Sequence, residues 1–179
     1  MVGGLIGIEV ENSVGVTVRR NVLTGNTAGI LVVALPGLPV PMVEDVTIED
    51  NVVSRNNLPN PIPPDSGTWW ALSRREPGSP TSGGDVLIVG NSVIGNDSVG
   101  VAIIQNFLAG PDPRVDPDPD DNEVRGNRIL TNGLDPDPLR PLAPGADIVY
   151  DGSGDGNCFA DNVFETEFPP GITALFPCA

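Results

Sequence analysis

The densest run of reactive groups in the chain is Pro111-Asp-Pro-Arg-Val-Asp-Pro-Asp-Pro-Asp-Asp121. Asp116, Asp118, Asp120 and Asp121 offer the hard carboxylate oxygens that Ca²⁺ selects. The spacing lacks the glycine and the closing glutamate of an EF-hand loop, and the alternating prolines hold successive carboxylates apart. The competing reading is a solvated acidic loop. Asp151-Gly-Ser-Gly-Asp155-Gly is a second oxygen-rich segment of this kind, and the nearest cationic groups in the pattern are Arg74-Arg75-Glu76 and Arg114. No histidine is present. That excludes His general bases, Ser-His-Asp triads and His-ligated zinc or copper. Two cysteines, Cys158 and Cys178, cannot build a four-cysteine zinc site. They read either as a disulfide tying the tail across the end of the fold or as two free thiols.

The elements that position these groups are visible as a repeat. Val14-Gly-Val-Thr-Val-Arg-Arg-Asn21-Val-Leu-Thr-Gly-Asn26 follows V-x-V-x-x-N-x-V-x-x-N, and four further copies occur at 46–56, 86–96, 122–132 and 157–167. Their first asparagines are Asn21, Asn51, Asn91, Asn127 and Asn162. An apolar residue stands three positions before each (Val18, Ile48, Ile88, Val124, Phe159) and another two positions after (Leu23, Val53, Val93, Ile129, Phe164). Alternation at period two is strand periodicity, and Val and Ile suit a pleated, half-buried surface. Each copy is preceded by a second short strand. These read Gly7-Ile-Glu-Val10, Gly29-Ile-Leu-Val32, Gly67-Thr-Trp-Trp70, Gly100-Val-Ala-Ile103 and Ile148-Val-Tyr150. A unit this small cannot bury its inward side chains alone, so neighbouring units must stack. Stacking aligns the asparagine amides, which carry both donors and acceptors, into a structural ladder rather than an active site.

These motifs resemble the parallel β-helix repeat proteins of the pectate-lyase-like superfamily. The narrower likeness, to bacterial parallel β-helix domain proteins, is carried by Gly29-Ile-Leu-Val-Val-Ala-Leu-Pro-Gly-Leu-Pro39 and Asn157-Cys-Phe-Ala-Asp-Asn-Val-Phe164. The resemblance implies an all-β fold: a single-stranded right-handed parallel β-helix, or solenoid, of about five rungs. It implies one domain over residues 1–179, with 168–179 as a capping tail, and a place toward the C-terminal part of a longer solenoid. The parent protein is expected to be extracellular or periplasmic. Met1 to Gly7 shows neither the charged n-region nor the apolar h-region of a signal peptide, and no apolar stretch is long enough to span a bilayer.

The net charge of −15, with all nine basic residues arginine, argues against nucleic acid and anionic membranes as partners. The corner after the first strand expands at 33–45, 71–85 and 104–121, which stacks three loops on one side. Repeat proteins often bind on such a side. Outward positions of the first strand column read Glu9, Leu31, Trp69, Ala102 and Val149. The loops either cover that apolar column or leave Trp69, with Arg74 and Arg75, as a platform for acidic or neutral polysaccharide.

Two functional readings follow. One is a non-catalytic module with a carbohydrate-binding, surface or scaffold role, requiring no cofactor, with Ca²⁺ as an optional ligand. The other is a polysaccharide lyase, hydrolase or epimerase in which Arg74, Arg75 or Arg114 acts with Asp116 and Asp118. Pectate lyases, which the fold implies as relatives, use an arginine base beside calcium-binding aspartates. The Asn-Thr-Asp and Gly-His-Gly segments of the fold's hydrolases are missing, and so is the histidine of its epimerases. Asp120-Asp121 alone supplies no such set. Those gaps favour the non-catalytic reading, because fold alone does not establish activity. The short, Gly-rich Met1 to Ile6 offers no amphipathic cap. Self-association through that first rung is therefore expected.

Overall fold

The computed structural model describes residues 1–59, 79–82, 84–136 and 144–179. Over these residues the protein is all-β, with three parallel sheets. The first sheet stacks β1 (Ile6–Glu11), β4 (Ala28–Val33), β7 (Ser79–Ser82), β10 (Val99–Ile103), β13 (Ala146–Tyr150) and β15 (Glu167–Phe168) in that order. The second runs from β2 (Val14–Arg19) through β5 (Glu44–Glu49), β8 (Val86–Val89) and β11 (Glu123–Arg125) to β14 (Cys158–Ala160). The third holds β3 (Val22–Thr24), β6 (Val52–Ser54), β9 (Ser92–Ile94) and β12 (Arg128–Leu130). The chain visits the three sheets in turn, and every strand lies beside the strand one circuit earlier.

One sequence expectation is corrected here. The place between β4 and β10 is taken by Ser79–Ser82, not by Gly67-Thr-Trp-Trp70. Ala102 is therefore in register with Pro80. Residues 67–70, including Trp69, and Arg74 and Arg75 lie outside the described residues. Ser79-Pro-Thr-Ser82 has no alternating apolar pattern; its pairing is imposed by the strands on either side.

The repeat explains the core. Val18, Ile48, Ile88, Val124 and Phe159 form one register column, and Leu23, Val53, Val93 and Ile129 form another. All nine are buried. Each buried apolar side chain contributes roughly 1.5–3 kcal/mol relative to exposure, so the columns supply a substantial share of the driving force. The fifth copy departs from the pattern: Phe164 is only partly buried against the core, and Val163 contributes a single bridge to Arg128 rather than a strand. The glycine that opens the first-sheet strands has a steric cause. A Cβ on Gly100 would fall on the Asp147 carbonyl oxygen and on Ile129 Cγ2.

Each corner turns through a residue of positive φ. Entry to the third sheet uses Arg20, Asp50, Gly90, Gly126 and Asp161; the next corner uses Gly25, Arg55, Gly95 and Thr131. Thr131 is the costliest of these, since a β-branched residue at φ 56 is sterically disfavoured. Its side chain is exposed and bonds only the adjacent Leu130 carbonyl. Thr131→Gly is therefore expected to raise stability by about 1 kcal/mol, the left-handed penalty less the glycine entropy cost. A melting temperature equal to or below the parent's would overturn that assignment.

The C-terminal tail closes one end. β15 pairs with β13, and Phe159 exchanges backbone hydrogen bonds with Phe176 and Cys178. Cys158 and Cys178 form a disulfide with their Cα atoms 4.8 Å apart. The short helix α1 (Ile172–Leu175) buries Ile172, and Tyr150 packs edge-on against Phe176. Partial burial alone would push the Glu167 carboxyl up, but bonds from the Thr173 and Gly171 N–H groups outweigh it and hold it below the usual range.

Candidate functional site at the loop corner

Two described loops, 34–43 and 104–122, leave the first sheet on the same side and bond to each other. Asn106 Nδ2 donates to Ala34 O at 2.6 Å, and Gly37 N donates to Asp112 Oδ2 at 3.1 Å. Asn12 anchors the upper loop by donating to the Leu35 and Val40 carbonyls and accepting from Leu35 N. Between the loops lies a cleft of about 580 Å³. Glu44, Asp85, Arg114, Asp116, Asp118, Asp120 and Asp121 line it, with Ala34, Met42 and Val43 as apolar floor. The sequence-derived candidates Arg114, Asp116, Asp118, Asp120 and Asp121 thus do share one cleft. Arg74 and Arg75 fall outside the described residues.

The cleft's groups are occupied with one another. Arg114 Nη2 lies 2.7 Å from Asp112 Oδ2, and its Nε bonds the other carboxylate oxygen. That fork, with the N–H groups of Gly37 and Arg114, holds the Asp112 carboxyl far below the usual range, while Asp112 raises the Arg114 guanidinium further. An arginine base needs the opposite shift, and these contacts favour the protonated guanidinium.

The loop aspartates are likewise engaged within the loops. Asp116 Oδ1 accepts from Asp118 N, Asp118 Oδ1 from Gln105 Nε2, and Asp120 Oδ1 from Asp155 N. Among the described residues, the one trio of potential metal ligands with donor atoms within 4.8 Å of each other is Glu123, Cys158 and Cys178. Both sulfurs of that trio are joined in the disulfide. In the second acidic segment, Asp151 bonds Ser153 and the Gln105 N–H.

The asparagine column is a hydrogen-bonded ladder. Nδ2 of Asn21, Asn51, Asn91 and Asn127 each donates 3.0 Å to Oδ1 of the next asparagine in the series, ending at Asn162. The same Oδ1 atoms accept the backbone N–H of the preceding asparagine, and Nδ2 also reaches a strand carbonyl of the previous circuit, as Asn91 does to Ile48. Turn backbone is thereby satisfied without water.

Two further columns are absent from the sequence reading. The second asparagine of the motif stacks in the same way, through Asn26, Asn56, Asn96 and Asn132. It ends on the buried carboxylate of Asp147. A short third column joins Asn122 to Asn157, and Asn157 Nδ2 also donates to the Tyr150 hydroxyl. The motif itself signalled the second column; Asp147 lies outside the repeat and gave no signal.

The first strand face is covered at its far end and open at its near end. Ala102 and Val149 are buried with Val99 and Ala146, whereas Leu31 is half-buried and Glu9 exposed. The second face is solvated, with Arg19 and Glu49 in register and 3.8 Å apart. Among the described residues no helix is long and apolar enough to cross a membrane. Compared with family models, curated proteins and solved structures, the chain has no match.

Proposed function

We propose that this chain is a right-handed parallel β-helix of about five coils that serves as a non-catalytic module, presenting its loop corner to carbohydrate at a surface or scaffold outside the cytoplasm. The observation that carries this reading is the internal pairing of the cleft. Its one described arginine is locked on Asp112, and three of its carboxylates hold loop backbone or side chains instead of converging on a point. Glycoside hydrolysis needs two carboxyls poised across one bond, and lysis needs a deprotonated base. Neither arrangement is supported.

The cleft's charge narrows the ligand. Among the described residues, Glu44, Asp85 and the four loop aspartates stand against a single arginine. Such a wall repels an acidic polymer, while carboxylates accept hydrogen bonds from sugar hydroxyls. Neutral polysaccharide is therefore the favoured class. Affinity electrophoresis against neutral glucans and mannans and against polygalacturonate and alginate tests this. Retardation by a neutral polymer, abolished by Asp118→Ala, is the expected result. Preference for an acidic polymer, or unsaturated or newly reducing product in the same mixtures, would reject it.

A further inference from the structure

Glu123, Cys158 and Cys178 are brought together by backbone pairing as well as by the disulfide. Glu123 on β11 and Cys158 on β14 are register partners, followed by the Val124–Phe159 and Arg125–Ala160 pairs. Cys158 N also donates to Asn122 O. On the other side of β14, Phe159 N donates to Phe176 O and Cys178 N to Phe159 O, with a parallel bridge between Phe159 and Pro177. Three neighbouring segments thus present one carboxylate and two sulfurs, whose donor atoms lie within 4.8 Å of one another. All three residues are partly exposed, and none of them lines the acidic cleft.

We propose that these residues form a site for a borderline-soft divalent cation of the zinc type, which the disulfide closes and a thiol reductant opens. A dithiol delivers two electrons and two protons to the Cys158–Cys178 bond. That bond breaks, each sulfur is left as a thiol, and the dithiol becomes a disulfide. Cation binding then displaces both thiol protons, and the two thiolates and one Glu123 oxygen bond the metal. Thiolate donors select zinc over Ca²⁺ and Mg²⁺, which take oxygen.

The geometry suits such an ion. Zinc bonds of about 2.3 Å to sulfur and about 2.0–2.2 Å to oxygen put tetrahedral ligand atoms roughly 3.5–3.8 Å apart. Once the sulfurs are free to separate, side-chain rotation brings the three donors to that spacing, because the strand register already holds their backbones side by side. Arg125 Nη1 lies 3.0 Å from Glu123 Oε1. The arginine thereby orients the carboxylate and leaves its other oxygen for the metal, the part that outer-shell partners play at metal sites. Three protein ligands leave the fourth position to water.

The test titrates Co²⁺, then Zn²⁺, into the full chain before and after reduction with a phosphine. The reduced chain is expected to take up one Co²⁺ per molecule, with the sulfur-to-cobalt charge-transfer band and the visible bands of a tetrahedral site, and to lose both when Zn²⁺ displaces it. The oxidised chain is expected to show neither. Glu123→Gln, which keeps the shape of the side chain, should weaken Zn²⁺ binding about tenfold or more, since even an outer partner of a metal ligand is worth that much. Cys158→Ser should abolish the sulfur band. Reduction should leave the β circular-dichroism signal in place. Loss of that signal, absence of the bands, one metal shared by two chains, equal binding before and after reduction, or full affinity in Glu123→Gln would each overturn the proposal.

Discussion

Asn91→Leu is expected to destabilise the protein by about 4 kcal/mol, the sum of two or more buried groups orphaned at roughly 1–3 kcal/mol each. Asn91 lies in the middle of its column and is 2% exposed. Its Oδ1 receives both the backbone N–H and the Nδ2 of Asn51, and its Nδ2 donates to Ile48 O, Val89 O and Asn127 Oδ1. Leucine keeps the position filled but returns none of these bonds. The Asn51 donors and the Ile48 carbonyl then face a dry interior. Asn21→Leu is the internal comparison. Asn21 is half-buried and donates to Asn51 without accepting from another asparagine, so its loss should be markedly smaller. Equal denaturant midpoints for the parent and Asn91→Leu would show that the column carries no stability.

Asp147→Asn is expected to cost about 3 kcal/mol although it removes no atom, because charge-assisted hydrogen bonds contribute roughly 1.5–3 kcal/mol and an amide would confront donors with donors. Asp147 Oδ1 accepts from Asn132 N and Nδ2, both at 2.9 Å. Oδ2 accepts from Glu165 N, Thr166 N and Thr166 Oγ1. Both oxygens are surrounded by donors, and asparagine has only one oxygen to give. Whichever way its amide turns, an NH₂ group meets N–H groups. Amide exchange should quicken first at Glu165 and Thr166, where the chain enters the C-terminal cap. Unchanged protection there and an unchanged melt would remove the carboxylate from any stabilising role.

Much of the architecture was legible because the same side chains recur in the same order. Val18, Ile48, Ile88, Val124 and Phe159 could be aligned by eye, and they stack in the structure in that register. What could not be read is whatever depends on neighbours rather than on local pattern. Gly67-Thr-Trp-Trp70 fits the strand template better than Ser79-Pro-Thr-Ser82, yet the latter holds the place between β4 and β10. Backbone partners on both sides can recruit a segment of poor propensity. Asp147 follows Asn132 by only 15 residues, whereas ladder neighbours in the first column are 30 to 40 apart, so no spacing argument could have placed it. At the site, composition showed that the carboxylates were plentiful. Which atoms they would face was set by Gln105, Arg114 and Asp155, and no motif encodes those contacts.

The second asparagine column also has a polarity. In Asn26, Asn56, Asn96 and Asn132 every amide carbonyl points toward the N-terminal end and every NH₂ toward the C-terminal end. Side-chain dipoles so aligned add, much as peptide dipoles do along an α-helix, and neighbouring bonds polarise one another. The positive end of the array terminates on the carboxylate of Asp147. Its negative end takes the Gly4 N–H, in the segment that also brings the Met1 ammonium to Val22 O. The stack thus meets an anion at one extreme and a backbone amide donor at the other. To append a further circuit beyond Asp147, the chain would have to exchange that carboxylate for an amide and move the negative charge one level outward.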